Sequence, residues 1–336
     1  MDNNIIVTIH CIAYNQEKYI RECLDGFVMQ KTTFQFEALV HDDASTDKTP
    51  EIIREYAKKY PSIIKPFFQE ENQYTKDFSV VTQLLIQHTK GKYIATCEGD
   101  DYWIDPYKLQ KQVDFLEANA DFAICFHPVK IRMEEEDKIV DDFITQEVPD
   151  VTDVYRLAEG NYIHTPSVLF KNNPKVFIEI KKMEMVYFGD YVLHMLNAQY
   201  GKIKKMTDCM AIYRVHDAGS CSRKGFEYTS PKWIDMLNVL EPRIVNNDVR
   251  QIINKQKGIL AATLCLCHLK KNDIDLAYYY YGIAVNHTPK ATFDLFQQEI
   301  FSCQEKHTRI KKSRAYRLGE FLLYPFRRSK RFISKI

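Results

Sequence analysis

Three carboxylates crowd one short stretch, Glu98-Gly99-Asp100-Asp101. It follows the apolar run Lys92 to Ala95, which reads as a buried strand. It precedes Asp105-Pro106, which reads as a helix start with a capping carboxylate and proline at the first helical position. Acids on the turn leaving a strand stand in the crevice where open α/β sheets bind their ligands. Adjacent carboxylates repel one another unless a proton or a cation neutralises them. Oxygen ligands suit magnesium or manganese, which commonly bridge protein carboxylates to a substrate phosphate. The same residues would also serve as an acidic turn that only caps the next helix. A second pair, Asp42-Asp43, ends an earlier strand and has the same two readings. Two acidic turns at one edge of one sheet point to a shared nucleotide site.

The elements that must hold these acids alternate. Ile5 to Ile12 reads as a buried parallel strand, followed by the turn Ala13-Tyr14-Asn15-Gln16. Tyr19, Ile20, Cys23, Leu24, Phe27 and Val28 recur at helical spacing. Phe36 to His41 is the second strand, and Thr49-Pro50 starts a helix through Tyr60. Ile63 to Gln69 is strand-like, but Pro66 demotes it to an edge. Val80 to His88 is helical, and Tyr93 to Cys97 delivers the acidic turn. Leu109, Val113 and Leu116 form the next helical face, and Phe122 to Phe126 another strand. Met133 to Asp153 reads as an exposed loop or hairpin, Tyr162 to Phe170 and Met210 to Val215 as strands flanking a helix Asp190 to Tyr200, and Pro231 to Phe301 as helical throughout. Such alternation implies a parallel sheet covered on both sides.

Composition and absent motifs narrow the chemistry. No GxGxxG follows the first strand and no GxxxxGK[ST] occurs, so a nucleotide would be held by carboxylates, metal and stacking rather than by a glycine cradle. The 336 residues carry a net charge of +1 that hides an asymmetry. Residues 306–336 hold eleven Lys/Arg against one acid, Glu320, which leaves −9 on the rest of the chain. Nine scattered cysteines read as reduced thiols. No signal peptide precedes the first strand and no apolar run is long enough to span a membrane, so a cytoplasmic protein is expected.

AYNQEKYI after the first strand, VHDDASTDKT after the second and GKYIATCEGDDYW around the fourth closely resemble family 2 glycosyltransferases of the GT-A fold, in the family's order and spacing, over roughly the first two-thirds of the chain. The resemblance implies an inverting transfer of a sugar from a nucleotide diphosphate-sugar, with UDP the expected carrier and Mn2+ or Mg2+ the expected cofactor. It implies donor contacts from Ala13, Tyr14, Asn15, Asp42, Asp43, Glu98 and Asp100. Tyr14 would stack near the base and Asp43 would accept from a base imide. Asp101 would bind the metal, with His216 of Tyr213-Arg214-Val215-His216 completing the metal shell or reaching the diphosphate. Asp190 matches the general-base position, against the plainer reading of a helix N-cap. His164 and Trp103 would line the acceptor pocket, with a buried structural role the alternative for His164.

The expected protein is therefore an α/β glycosyltransferase with a mostly parallel central sheet over residues 1–223, a helical extension over 224–305 and a basic tail over 306–336. Its acceptor would be a glycan or glycolipid of a surface polysaccharide. The tail interleaves its charges with Tyr316, Leu318, Phe321, Leu322, Leu323, Tyr324, Phe326 and Phe332, which suits an anionic membrane on the inner face of the cytoplasmic membrane. No nucleic-acid module accompanies the tail, so no nucleic acid is expected as a partner. A sugar nucleotidyltransferase is the rival enzyme, but it would need a basic glycine-rich segment where AYNQEK stands. A nucleotide-binding protein without catalysis is the rival outside enzymes.

Overall fold

The computed structural model describes residues 4–73, 78–142, 144–145, 147–183, 187–217, 224–290, 292, 294 and 296. The strands are β1 (Ile5–Ala13), β2 (Gln35–Asp42), β3 (Ile64–Phe68), β4 (Tyr93–Thr96), β5 (Tyr102–Trp103), β6 (Phe122–Phe126), β7 (Val129–Met133), β8 (Lys138–Asp141), β9 (Val151–Thr152), β10 (Leu169–Lys171), β11 (Lys202–Lys205) and β12 (Ala211–Val215). The helices are α1 (Ile20–Val28), α2 (Thr49–Lys59), α3 (Phe78–His88), α4 (Lys108–Ala118), α5 (Val154–Ala158), α6 (Pro174–Ile180), α7 (Gly189–Ala198), α8 (Phe226–Leu240), α9 (Asn247–Lys270) and α10 (Ile274–His287).

Eight strands form one sheet in the order β3-β2-β1-β4-β10-β6-β11-β9, and β5-β12-β7-β8 form a second. The β1, β2, β3 and β4 pairings are parallel, as the strand–helix alternation requires, while β10 inserts antiparallel between β4 and β6. Pro66 sits in β3 at the sheet edge, where its missing N–H costs no ladder bond. Along β1, alternate residues Val7, Ile9 and Cys11 join the core made with α1, α2 and α4. Thr8 and His10 point to the opposite face, where Thr8 Oγ1 accepts from Gly91 N and His10 Nε2 meets Thr89 Oγ1. A second core gathers Ile94, Ile124, Phe126 and Phe170 with α7, α8 and the start of α9.

Three expectations need correction. Tyr162 to Phe170 is not one strand: Pro166 lies in a 3-10 turn, Thr165–Ser167, and only Leu169–Lys171 pairs. Asp105 does not cap α4, which begins three residues later. Its Oδ1 accepts from Tyr107 N and its Oδ2 pairs with Lys111. The boundary expected at residue 223 also moves. The chain divides into a first compact unit ending at Gln256 and a second beginning at Lys257, because Met236, Leu237, Leu240, Ile244, Val249 and Ile253 belong to the first unit's core. Within the second unit, α10 buries Tyr280 and exposes Tyr278 and Tyr279. The basic tail lies outside the described residues. Among the described residues no helix is long and apolar enough to cross a membrane.

One core residue gives the fold a pH dependence. Lys108 is fully buried, with its ammonium 4.2 Å from the Trp103 ring centroid and donating to Gln112 Oε1 at 2.7 Å. Burial pushes its pKa down to about 7, against weak opposition from the Cys97 and Cys125 thiols. Between that value and the unfolded pKa, roughly 10.4, the unfolded chain binds the extra proton, so stability rises with pH across this window. Below the window both states hold the proton and the full cost remains. Denaturation midpoints of wild type and Lys108→Met at pH 7 and pH 9.5 should therefore show wild type gaining on the variant as pH rises, by up to a few kcal/mol. Parallel changes in the two proteins would contradict a neutralised Lys108.

Candidate active site

The parallel strands β1, β2 and β4 all end on the same edge, and their three turns are laced together there. Asp43 N donates to Ala13 O, Cys97 N to His10 O and Gly99 N to Ile12 O. Asn15 takes a left-handed conformation, φ 53°, which asparagine tolerates better than most residues. Its Oδ1 accepts from Thr46 N, and its own N–H donates to Ser45 Oγ. Asn15 is thus spent on joining the first two turns, and Ala13 is buried beneath them. Tyr14 is left exposed over 47% of its surface.

Asp42 and Asp43 are both buried. Asp42 Oδ2 accepts from Ser45 N at 3.3 Å, while its Oδ1 has no protein partner; burial pushes its carboxyl up. Asp43 Oδ1 accepts from Gln73 N at 2.8 Å and faces His41 Nε2 at 3.4 Å.

The acidic turn is held more firmly. A Cβ on Gly99 would come within 2.3 Å of Gln16 Oε1 and 2.9 Å of Ile20 Cδ1, so any larger residue would have to displace the ends of these two side chains. Asp101 is 1% exposed. Its Oδ1 accepts from Arg214 N at 2.7 Å and its Oδ2 has no partner. Asp100 Oδ2 meets His216 Nε2 at 2.9 Å, and Asp100 Oδ1 is likewise buried without a partner. Arg214 lies in β12, which pairs with β5 just beyond the turn, and His216 follows directly after its last residue. The Arg214 guanidinium donates to Asp100 O at 2.6 Å, pairs with Glu22 at 2.6 Å and with Glu134, and stands over the Tyr19 and Tyr102 rings. Arg214 is the positioning residue that motif reading missed. The signal was its place two residues before His216.

Burial, then the charges of Asp100 and Glu98, push the Asp101 carboxyl well above the usual range, against the opposing pull of Arg214. Glu98 is exposed to solvent, although protein lies close around it. Crowding by that protein, then the charges of Asp100 and Asp190, push its carboxyl up.

Asp190 therefore stands within electrostatic reach of the turn. It is not the N-cap of α7: that place is taken by Phe188, in a left-handed conformation with φ 55°. Asp190 lies in the first helical turn, with its carboxylate free of capping and its Oδ2 accepting from Asn161 Nδ2 at 3.2 Å. His164, three residues past Asn161, has Nε2 3.2 Å from Asp142 Oδ1 and its ring 4.9 Å from that of Tyr213. Burial opposes ionisation of Asp142, but His164 and the bonds from Thr145 and Ile144 outweigh it and hold its carboxyl down at about 2. Trp103 does not line a pocket. It is 2% exposed, packs on Phe27 and donates from Nε1 to Pro166 O at 2.9 Å.

A divalent ion fits this turn in one way only. Among the described residues no group of three or more His, Cys, Asp or Glu is arranged to hold a metal, and His216 Nε2 is engaged by Asp100. The unpartnered oxygens of Asp100 and Asp101 do suit a magnesium- or manganese-type ion that draws its other ligands from phosphate and water.

The model of the family described as "Glycosyl transferase family 2" matches residues 8–190, more than half of the chain and every one of these turns. The chain belongs to glycosyl transferase family 2. An uncharacterized protein of Mycobacterium tuberculosis is 39% identical over 219 residues, 63% of this chain and 60% of that protein, so the chain spans less than two thirds of that relative. A Bacillus subtilis protein named putative teichuronic acid biosynthesis glycosyltransferase TuaG is 29% identical over 33% of this chain and 42% of its own length. Among solved structures, Staphylococcus aureus TarS 1-349 in complex with UDP has a TM-score of 0.57 at 15% identity, covering 83% of this chain and 90% of that one. The mannosyltransferase PcManGT of Pyrobaculum calidifontis, in complex with GDP-Man and Mn2+, has a TM-score of 0.54 at 16% identity, over 94% and 86%. At such identities the likeness is one of fold, and it agrees with a mostly parallel GT-A sheet.

Proposed function

We propose that this family 2 protein transfers a sugar from a nucleotide diphosphate-sugar to a hydroxyl of a glycan or glycolipid, with inversion, using a divalent ion. One observation carries the reading: Glu98, Asp100, Asp101 and Asp190 converge at one sheet edge, with two buried carboxylate oxygens left unpartnered. Four acids drawn together are unfavourable in the bare protein, and a cationic ligand set against a diphosphate relieves them.

In this reading Tyr14 stacks on the base and Asp43 accepts from the imide N–H that uracil and guanine share. UDP is the first expectation, and the fold likeness to proteins bound to UDP and to GDP-Man keeps both open. Asp42 orders the turn behind Asp43, and Asp100 holds ribose or sugar hydroxyls. Asp101 and Asp100 would hold the ion, with His216 orienting Asp100. When bound, that ion would supply positive charge against the leaving diphosphate. Asp190, steadied by Asn161, takes the acceptor proton as the hydroxyl oxygen bonds to the anomeric carbon and the diphosphate oxygen leaves from the opposite face. Glu98 lies toward the sugar, and its raised pKa favours a protonated carboxyl that donates rather than repels. His164, tied to Asp142, borders the acceptor side. A role in surface polysaccharide synthesis is supported by the name of one Bacillus subtilis relative, TuaG.

The test is release of nucleoside diphosphate from a panel of UDP- and GDP-sugars with Mn2+, with a polysaccharide extract as acceptor. Release that depends on acceptor supports transfer, and formation of a nucleotide-sugar from nucleoside triphosphate and sugar phosphate would favour the nucleotidyltransferase. For the tail, several basic side chains near an anionic leaflet, each worth about 1 kcal/mol, suffice for reversible attachment at the cytoplasmic face of the membrane. The full chain should co-sediment with anionic liposomes more than with neutral ones. A chain ending at Phe301 that sediments equally would remove the tail as anchor.

A further inference from the structure

We propose that the acceptor carries a negative charge, phosphate or carboxylate, and that Lys232, clasped between the rings of Tyr187 and Tyr228, receives it next to Asp190. The inference rests on the glycosyl-transfer reading and names the acceptor class for it.

The placement follows from how α8 meets the start of α7. Trp233 packs against Phe188 at 4.7 Å and Tyr191 at 4.9 Å between ring centroids, and these residues flank Asp190 in sequence. Its Nε1 donates to Gln256 Oε1, which fixes the ring. One residue earlier, the Lys232 ammonium lies 3.8 Å from the Tyr228 ring centroid and 4.9 Å from that of Tyr187. Tyr187 is three residues from Asp190, so their backbones are at most about 11 Å apart. That is the length of roughly one or two sugar units.

The cluster also stands on the acceptor side. The nucleotide turns end β1, β2 and β4. Asn161 and His164 lead into β10, the next strand across, and α7 leads on to β11, farther from β2. Asp190 thus opens the helix that leads away from the nucleotide turns, with Tyr187 three residues before it.

The chemistry of the cluster selects the ligand. No carboxylate among the described residues pairs with Lys232, although the chain has 45 acids to offer. Two rings hold the ammonium in place, so its side-chain entropy is already lost before a ligand arrives. The Lys224 ammonium, 5.8 Å from the Tyr228 centroid, adds a second positive charge on the solvent side. Tyr228 remains 49% exposed, leaving a ring face for the C–H face of a sugar. A cation held against two rings, with no carboxylate partner among the described residues, favours a sugar or polyol bearing an anionic group.

Calorimetric titration of the full chain with three probes tests this: a glycerol-phosphate oligomer, an oligogalacturonate and a neutral maltooligosaccharide. At low salt, at least one anionic probe should bind about tenfold or more tighter than the neutral one. Lys232→Met should erase that preference and Lys232→Arg should restore it. UDP and GDP binding in the presence of Mn2+ should be unchanged in both variants. The phosphate and uronate arms tell which anion is preferred. Failure of both anionic probes to bind, or a preference that survives in Lys232→Met, would overturn the proposal. Loss of nucleotide binding in wild type with the anionic preference intact would instead overturn the glycosyl-transfer reading and leave an anion site.

Discussion

Replacing Asp101 by asparagine should abolish metal-dependent donor binding and, in the same protein without metal, raise the melting temperature. Asp101 is fully buried, and its Oδ2 has no partner, with Asp100 and Glu98 close by. Its pKa is raised in the fold, so the folded state binds the proton more tightly than the unfolded chain does. The penalty for its ionisation is absent below the unfolded pKa and fully present above the folded one. Asparagine removes the charge, keeps an oxygen for the Arg214 N–H and offers an N–H₂ to the neighbouring carboxylates. The expected gain is roughly 1–3 kcal/mol, the scale of a buried group relieved of its missing partner. For donor affinity the change is the reverse: breaking a buried ionic contact costs about 3–5 kcal/mol, more than a hundredfold. Thermal melts with and without Mn2+ check both halves. A less stable metal-free variant, or unchanged manganese-dependent affinity, would refute the reading of this turn.

Asp190→Asn should keep donor binding and lose transfer by at least roughly a hundredfold, the low end for general acid–base catalysis. The substitution leaves the Asn161 contact a possible acceptor and leaves the Phe188 cap untouched, so the start of α7 should persist. What it removes is a group able to take the acceptor proton. Single-turnover transfer from bound donor measures the loss apart from binding. Transfer near the wild-type rate would mean that another group is the base, and His164 would be the next to test.

The gathering of the three turns was legible because each follows an unbroken apolar strand, and parallel order brings the ends of β1, β2 and β4 to one edge. The edge place of β3 was legible from Pro66 alone. Other features depend on distant pairings that local pattern does not carry. β11 holds one apolar residue, Ile203, among lysines, and it is a strand because it pairs beside β6. Arg214 clamps Asp100 only because β12 lies against the two residues of β5. Trp103 looked available beside the acids, yet alternation along β5 turns it into the core. Asn15 was itself an expected donor contact but spends its side-chain oxygen on the neighbouring turn. The extension of the first unit to Gln256 was hidden because α8 and α9 read alike in sequence, whichever core they join.

The most direct measurement is a calorimetric titration of UDP and GDP into the full chain, with and without Mn2+, repeated with Asp101→Asn. One of the two nucleotides should bind in the presence of Mn2+, weaken strongly when the ion is chelated and fail to bind the variant. Binding of neither nucleotide with Mn2+ present, or equal binding in all four conditions, would contradict a metal-assisted nucleotide-sugar site at Asp100 and Asp101.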